Sequence, residues 1–326
     1  MKKTTPIAAL AATLLAAAAG IVHAADPYPN RPVKLVVPFA PGGTTDIVAR
    51  IVAAKITPFL GQPLVVENHA GAGGAIGAME TARATPDGYS LGMATVSTVA
   101  TNPAMLPSTA KYDPTTDFTP IVNVAATPNV IEVHPSFPAH DYKGFIAELK
   151  AHPGKYSYGS TGTGSITHMQ MELFKAQTGT SMVHIPYKGA GPALNDAVGG
   201  QIPILLDNMP SSFPFIKQGR LIPIVVASEK RVPGLENVPT LAEVGLPDVN
   251  RMAFYGIYGP KGLPAEVVAK VNAAVKEVLK DPEVRKRIEE TGSFVLGNSP
   301  QEFAVQIKNE FEVYKNVVKT QNLKPE

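Results

Sequence analysis

Residues 33–45 read V-K-L-V-V-P-F-A-P-G-G-T-T, and the fold depends on how this stretch divides. Residues 33–39 are apolar and β-branched without helical spacing, and Ala40-Pro41-Gly42-Gly43 ends them in a sharp turn, so they predict a buried strand that stops there. Thr44 and Thr45 can cap the following helix, in which Ile47, Val48, Ile51, Val52 and Ile56 keep one apolar face until Pro58 and Gly61 close it. Residues 64–66 give a second strand, residues 71–77 (GAGGAIG) open a short helix through Arg83, and residues 89–95 (YSLGMAT) give a third strand. A β-α-β-α-β run closes almost only as right-handed crossovers on a parallel sheet, and its ligand crevice lies beyond the carboxyl ends of the strands.

After Pro120 the pattern restarts. Apolar residues 121–126 and 130–133 precede a helix near 142–151, and residues 156–160 (YSYGS) form a strand that ends in Thr161-Gly162-Thr163-Gly164-Ser165. A helix follows over 166–177, then a strand at 181–185, a loop at 186–192, a helix to Val198, and strands at 202–206 and 221–227. A Pro-rich crossing spans 232–247, and three amphipathic helices finish the chain, the first marked by Val267, Val271, Val275 and Leu279, the last by Phe303, Ile307, Phe311 and Tyr314. The expected architecture is α/β with two lobes, each a mixed sheet flanked by helices, and a ligand cleft between them. Residues 25–124 with 251–326 are expected to form lobe I and residues 125–250 lobe II, linked by crossings near 120–130 and 240–255. Such connectivity builds a cleft that closes like a hinge.

Composition narrows the function classes. A chain of 326 residues with 44% hydrophobic and 17% charged residues has material for two cores. It carries 29 Lys+Arg against 27 Asp+Glu and no basic run of the kind that neutralises phosphates, so no nucleic-acid partner is expected. The absence of Cys excludes disulfides, zinc–thiolate and iron–sulfur sites, and a thiol nucleophile. Lys2 and Lys3, an apolar stretch over 7–19 and Val22-His23-Ala24 read as a secretory signal cleaved after Ala24, too short an apolar stretch to span a bilayer. A diffusible periplasmic protein is expected. Removing Lys2 and Lys3 balances the charges, so selectivity for an anion must be local.

Two loops share one design: a strand ends, glycines and small hydroxyl residues follow, and a helix begins, at 40–45 and again at 160–167. Exposed helix N-termini with unpaired N–H groups favour an anion, and a carboxylate bridging the two could be held without Arg. The bland alternative is that each glycine pair only shapes a turn. Residues 71–77 lack a clean G-x-G-x-x-G spacing and follow the second strand of their unit, so they read as backbone packing or a helix start rather than a dinucleotide site, and no P-loop is present. The six histidines beyond residue 24 show no metal-ligand spacing, and neither a metal nor a cofactor is expected. His168 either faces the cleft or holds a structural hydrogen bond. Asp46 and Arg50 stand i, i+4 and suit a local ion pair, while Asp46 also suits the helix N-terminus. Asp207-Asn208 ends a strand at the cleft mouth, where it either reads a ligand hydroxyl or amine or makes a turn. Residues deeper in the cleft, among them Ser97, Thr98, Asn102, Tyr187 and Lys188, are candidates for setting substrate identity.

Six ordered motifs carry a resemblance: Tyr28-Pro-x-x-Pro-Val-Lys-Leu-Val-Val-Pro-Phe-x-Pro-Gly-Gly-x-x-Asp46, Val66-Glu-Asn-x-x-Gly-Ala-Gly-Gly-x-Ile-Gly77, Pro86-Asp-Gly-Tyr89, Tyr158-Gly-Ser-x-Gly-x-Gly-Ser165, Pro186-Tyr-Lys-Gly189 and Pro239-Thr-x-x-Glu243. Together they resemble the Bug family, the substrate receptors of tripartite tricarboxylate transporters. The resemblance implies a two-lobe periplasmic binding protein of type II, a monomer and not an enzyme, that captures a small carboxylate and delivers it to a membrane permease. It also implies that the ligand carboxylate is held mainly by backbone N–H groups and water. Carried over, the binding loops are Phe39, Ala40, Pro41, Gly42 and Gly43, facing Thr161, Gly162, Thr163, Gly164 and Ser165. Where the family often carries Trp near the second crossing, this chain has Phe254-Tyr255. The rival readings are a periplasmic hydrolase or isomerase with His168 or Asp207 as base, and a sensor that reports occupancy to a membrane kinase.

Overall fold

The strand predicted at 33–39 forms as β1 (Val33–Val37), buried along almost its whole length, and pairs in parallel with both β2 (Leu64–Asn68) and β3 (Ser90–Thr95) in a computed structural model that describes residues 27–321 and 323. The secretory signal read at residues 1–24 lies outside the described residues. The helix after β1 runs Thr44–Leu60, takes in Pro58 in its last turn and ends on Gly61 in the left-handed conformation, which glycine adopts without a Cβ penalty. Its buried face (Val48, Ile51, Val52, Ile56) packs on the sheet.

The first sheet has six strands in the order β11-β4-β10-β3-β1-β2, with β11 the short edge strand Phe294–Val295. β4 (Phe118–Thr127) and β10 (Ala253–Pro260) are antiparallel neighbours, and β10 also pairs antiparallel with β3. The sequence reading places a crossing at 240–255 and no strand over 253–260; the structure makes residues 253–260 a central strand with every residue buried. A strand covered on both faces loses the apolar/polar alternation by which strands are read. The second sheet has five strands in the order β7-β6-β8-β5-β9, comprising β5 (Asn129–Val133), β6 (Ser157–Ser160), β7 (Val183–Pro186), β8 (Ile204–Asn208) and β9 (Ile222–Ala227). β6 is parallel to β7 and β8, and β5 is antiparallel to β8 and β9, so both sheets are mixed.

Pro128 alone separates β4 from β5, and residues 228–252 return the chain from β9 to β10. These two links are tied together by buried amides. Asn129 donates to Gln170 Oε1 at 2.7 Å and to the Arg251 carbonyl at 3.1 Å, and Gln170 donates to the Val249 carbonyl at 2.6 Å. A third brace is the helix Pro300–Thr320, opened by a Ser299/Glu302 capping box. It seats Phe303, Ile307 and Tyr314 in the first core, while Val317 reaches both the first and second cores. Arg251 pairs with Glu310 at 3.3 Å and lies over the Tyr314 ring, fastening the return segment to that helix. Among the described residues no helix is long and apolar enough to cross a membrane.

Candidate functional site

The loop after β1 is built around Asp46. Its carboxylate accepts from the Gly42 amide at 3.1 Å, from Arg50 Nε at 3.0 Å and from Asn68 Nδ2 at 3.0 Å, and Asn68 also donates to the Phe39 carbonyl. Burial works to raise this carboxyl, but Arg50, the Gly42 amide and Asn68 together hold it below the usual carboxylate range. Asp46 therefore shapes the loop, and its acceptor sites face its own scaffold. Gly43 caps the helix with no side-chain bond. Among the described residues the amides of Gly43, Thr44 and Thr45 make no hydrogen bond, leaving donors at the positive end of a 17-residue helix.

The matching loop after β6 differs inside. Four of its five amides are already engaged: Thr161 with Thr167 Oγ1 at 2.9 Å, Gly162 with Ser160 Oγ at 3.2 Å, Gly164 with His168 Nδ1 at 3.1 Å, and Ser165 with the Gly162 carbonyl at 3.0 Å. Ser165 caps the helix Ile166–Thr178 by accepting from the His168 amide. The Ile166 amide donates across to Ser97 Oγ at 3.0 Å, and Thr101 Oγ1 donates to the Gly164 carbonyl at 2.8 Å. The two sheets are thus in contact through this loop, and also through the Ala40 amide, which donates to the Lys188 carbonyl at 3.0 Å.

Residues 71–77 supply a third contact. Gly73, at φ +60°, presses against the second loop so closely that a Cβ there would lie 2.3 Å from the Thr163 carbonyl oxygen and 3.1 Å from the Ser165 amide. Backbone packing is what this glycine run does, and its partner is the other sheet's loop.

A cavity of about 20 Å³, room for roughly one water, lies between the sheets. Of the residues singled out from sequence, Phe39, Gly43, Ser97, Thr161, Asn208 and Tyr255 line it. Thr44 and Thr45, read as helix caps, also line it, with Thr95, Val96, Ile166, Ala190 and Ala253. Ala253 carries no sequence signal of its own, because β10 shows no alternation. No lining residue is charged. Ala40, Pro41 and Gly42 sit behind the wall against the start of the helix Ala190–Val198, where Gly191 leaves no space for a side chain beside the Pro41 carbonyl. Thr98 bonds back to Thr95, Asn102 donates to the Ala72 carbonyl, and the Tyr187 hydroxyl donates to Asp196. Gly162, Thr163 and Gly164 form the contact between loops rather than the cavity wall.

His168 is fully buried and stacks on His184 with ring centroids 4.0 Å apart; His184 in turn bonds Ser160 Oγ at 2.7 Å. Because His168 Nδ1 accepts from Gly164, the ring is neutral, and burial pushes it down to about 4. Asp207 is also fully buried, behind the wall, and accepts from Ser211 Oγ at 2.6 Å; burial pushes it up to about 6. Neither residue reaches the cavity. Residues 88–92 spell G-x-S-x-G, but Ser90 begins β3 instead of standing on a strand-to-helix turn, so a hydrolase elbow lacks its geometry. Among the described residues no group of three or more His, Asp or Glu is arranged to hold a metal.

Two mixed sheets joined by tied crossings, with an uncharged cavity and a helix N-terminus between them, define a two-lobe solute-binding protein. The family model described as "Tripartite tricarboxylate transporter family receptor" matches residues 48–323. Protein BugT of Bordetella pertussis (strain Tohama I) is 34% identical over 306 residues, covering 93% of this chain and 94% of that protein. A solved periplasmic transporter superposes with a TM-score of 0.89 at 52% identity, over 91% of this chain and 99% of the other. MatC from Rhodopseudomonas palustris, solved with bound malate, gives a TM-score of 0.86 at 34% identity, over 89% of this chain and 100% of the other. The chain belongs to the tripartite tricarboxylate transporter receptor family.

Proposed function

We propose that this receptor binds a small carboxylate between its lobes, without cofactor or catalysis, and passes it to a membrane permease of the tripartite type. The reading includes export to the periplasm with cleavage after Ala24, a monomeric receptor, and lobes that divide where the chain passes from one sheet to the other. One observation carries it: Gly43, Thr44 and Thr45, whose amides have no partner among the described residues and stand at the positive end of the helix Thr44–Leu60, line a cavity with no charged residue. Malate bound to a relative 34% identical supports the same chemistry. A ligand larger than one water needs the lobes to part, and the paired crossings at 128 and 228–252 supply the hinge. Micromolar binding requires about 8 kcal/mol net, drawn from the helix terminus, hydroxyl hydrogen bonds and water expelled on closure.

Thermal unfolding with a panel of malate, succinate, aspartate, adipate and neutral sugars tests the reading. Carboxylates should raise the midpoint and sugars should leave it unchanged; the reverse pattern would sink the proposal. Mass spectrometry of small molecules released from the purified protein, and membrane pull-down for the permease, check its two ends.

A further inference from the structure

The first residue of that helix also leads, through its hydroxyl, to negative charge. Thr44 Oγ1, on the cavity wall, lies 2.8 Å from Ser211 Oγ across the lobes, and Ser211 donates to Asp207 Oδ2 at 2.6 Å. Ser212 Oγ donates to Glu132 Oε1 at 2.6 Å and lies 3.3 Å from Asp207 Oδ2. Asp207 and Glu132 are fully buried, and Asp207 Oδ1 and Glu132 Oε2 have no partner. The titratable groups facing Asp207 are Glu132 from β5 and Tyr255 from β10, and among the described residues no cation acts on either carboxyl. Burial and the Asp207 charge raise Tyr255, so it stays a neutral phenol beside Thr44.

A hydroxyl has one hydrogen, so this chain has a direction. With Asp207 ionised, Ser211 commits its hydrogen to the carboxylate rather than to the Asn208 carbonyl 3.0 Å away, and its oxygen accepts from Thr44, which leaves Thr44 only lone pairs, one meeting the Tyr255 phenol and one for the cavity. With Asp207 protonated the order can reverse and Thr44 can donate. The cavity therefore has a donor pole at the amides of Gly43, Thr44 and Thr45 and, at neutral pH, an acceptor pole at the Thr44 hydroxyl.

We propose that Asp207, acting through Ser211 and Thr44, positions an acceptor that makes the receptor prefer small carboxylates bearing a hydroxyl or ammonium group over the unsubstituted diacid. This rests on the carboxylate reading above. Asp207 is a positioning residue and does not itself touch the ligand. Its elevated titration, near 6, places the reversal within a testable range.

The test is calorimetric titration of the exported chain, its Asp207→Asn variant and its Ser211→Ala variant with succinate, L-malate and L-aspartate at pH 7.5 and 5.5. Wild type should bind malate or aspartate about tenfold or more tighter than succinate at pH 7.5, the worth of one hydrogen bond to a charged network. The margin should shrink at pH 5.5 and be largely lost in both variants, whose pH series also carries the ligands' own titration. Should Asp207→Asn not fold, Ser211→Ala reads the same relay with Asp207 in place. A margin absent in wild type, or unchanged in both variants, overturns the inference. Binding of adipate with none of the three probes overturns it too, leaving the carboxylate reading intact. Failure of every carboxylate to bind removes both.

Discussion

Gly73→Ala is the substitution that most sharply separates closure from ligand contact. A Cβ on Gly73 would sit 2.3 Å from the Thr163 carbonyl oxygen and 3.1 Å from the Ser165 amide, both on the opposite lobe. Relieving the first contact requires the lobes to stand apart by roughly 1 Å, since carbon and oxygen do not approach within about 3.0 Å. That retreat stretches the Thr101 to Gly164 bond, 2.8 Å, and the Ile166 to Ser97 bond, 3.0 Å. At about 1 kcal/mol for each bond lost, closure becomes less favourable by ~2 kcal/mol, a roughly 30-fold weaker apparent affinity. Two other costs are shared by open and closed forms. Alanine at φ +60° costs about 1 kcal/mol, and the Asn102 amide, 2.7 Å from the new Cβ, must move within its own lobe. These lower the unfolding midpoint without changing binding. Calorimetry with the carboxylate that gives the largest thermal shift, beside the ligand-free midpoint, separates the terms. A folded variant that binds within about twofold of wild type would refute the claim that closure brings Gly73 against Thr163.

Two further predictions concern the same machinery. An ideal Cβ on Gly43 lies 3.1 Å from Ala190 Cβ, so the loops need to part by only a few tenths of an ångström to reach the ~3.5 to 4.5 Å of a disulfide, and Gly43 has an ordinary φ of −85°. In a chain without cysteine, Gly43→Cys with Ala190→Cys should oxidise to a single bridge that locks the lobes closed and blocks ligand exchange until reduced; a pair that stays reduced in oxidised glutathione, by intact mass, would count against the closed geometry. His168 titrates near 4 in the fold against about 6.5 unfolded, so its contribution is complete above pH 6.5 and is lost as pH falls toward 4. The stability gap between wild type and His168→Gln should narrow by about 2 kcal/mol from pH 7.5 to pH 5 in urea melts, and a gap independent of pH would show that the ring is already charged or exposed.

The first β-α-β-α-β run was legible because each part carried its own signal: a β-branched run, a glycine turn, and a helix with one apolar face. The sequence signal failed where burial was complete or proline broke the period. β10 is buried at every position, so it shows no alternation, and Gly256 and Gly259 dilute it further; a Cβ at Gly256 would strike Phe303 of the last helix at 2.4 Å. The helix Met209–Lys217 contains Pro210 and Pro214, and sequence alone reads such a segment as loop. Its first turn, stabilised by Met209 donating to the Pro128 carbonyl at 2.9 Å, brings Ser211 and Ser212 onto Asp207. The relay behind the cavity was therefore invisible along with the helix that builds it.

The two glycine loops look alike as sequence, yet side chains outside the loops give them different tasks. After β1, Asp46 draws in the Gly42 amide and leaves the next three free; after β6, Ser160, Thr167 and His168 absorb the amides before any ligand arrives. A loop whose donors are already satisfied gains little by meeting an anion, because each new bond replaces an existing one. The second loop instead contributes the Thr161 surface, the Ser165 cap and carbonyls that receive the other lobe. On the proposed reading, recognition of a negative group then belongs mainly to the first lobe, and the second lobe's share is to close over it. This division predicts that substitutions on the second loop act on affinity through closure, as Gly73 does from the facing side, while changes at Gly43 or Thr44 act on the ligand itself.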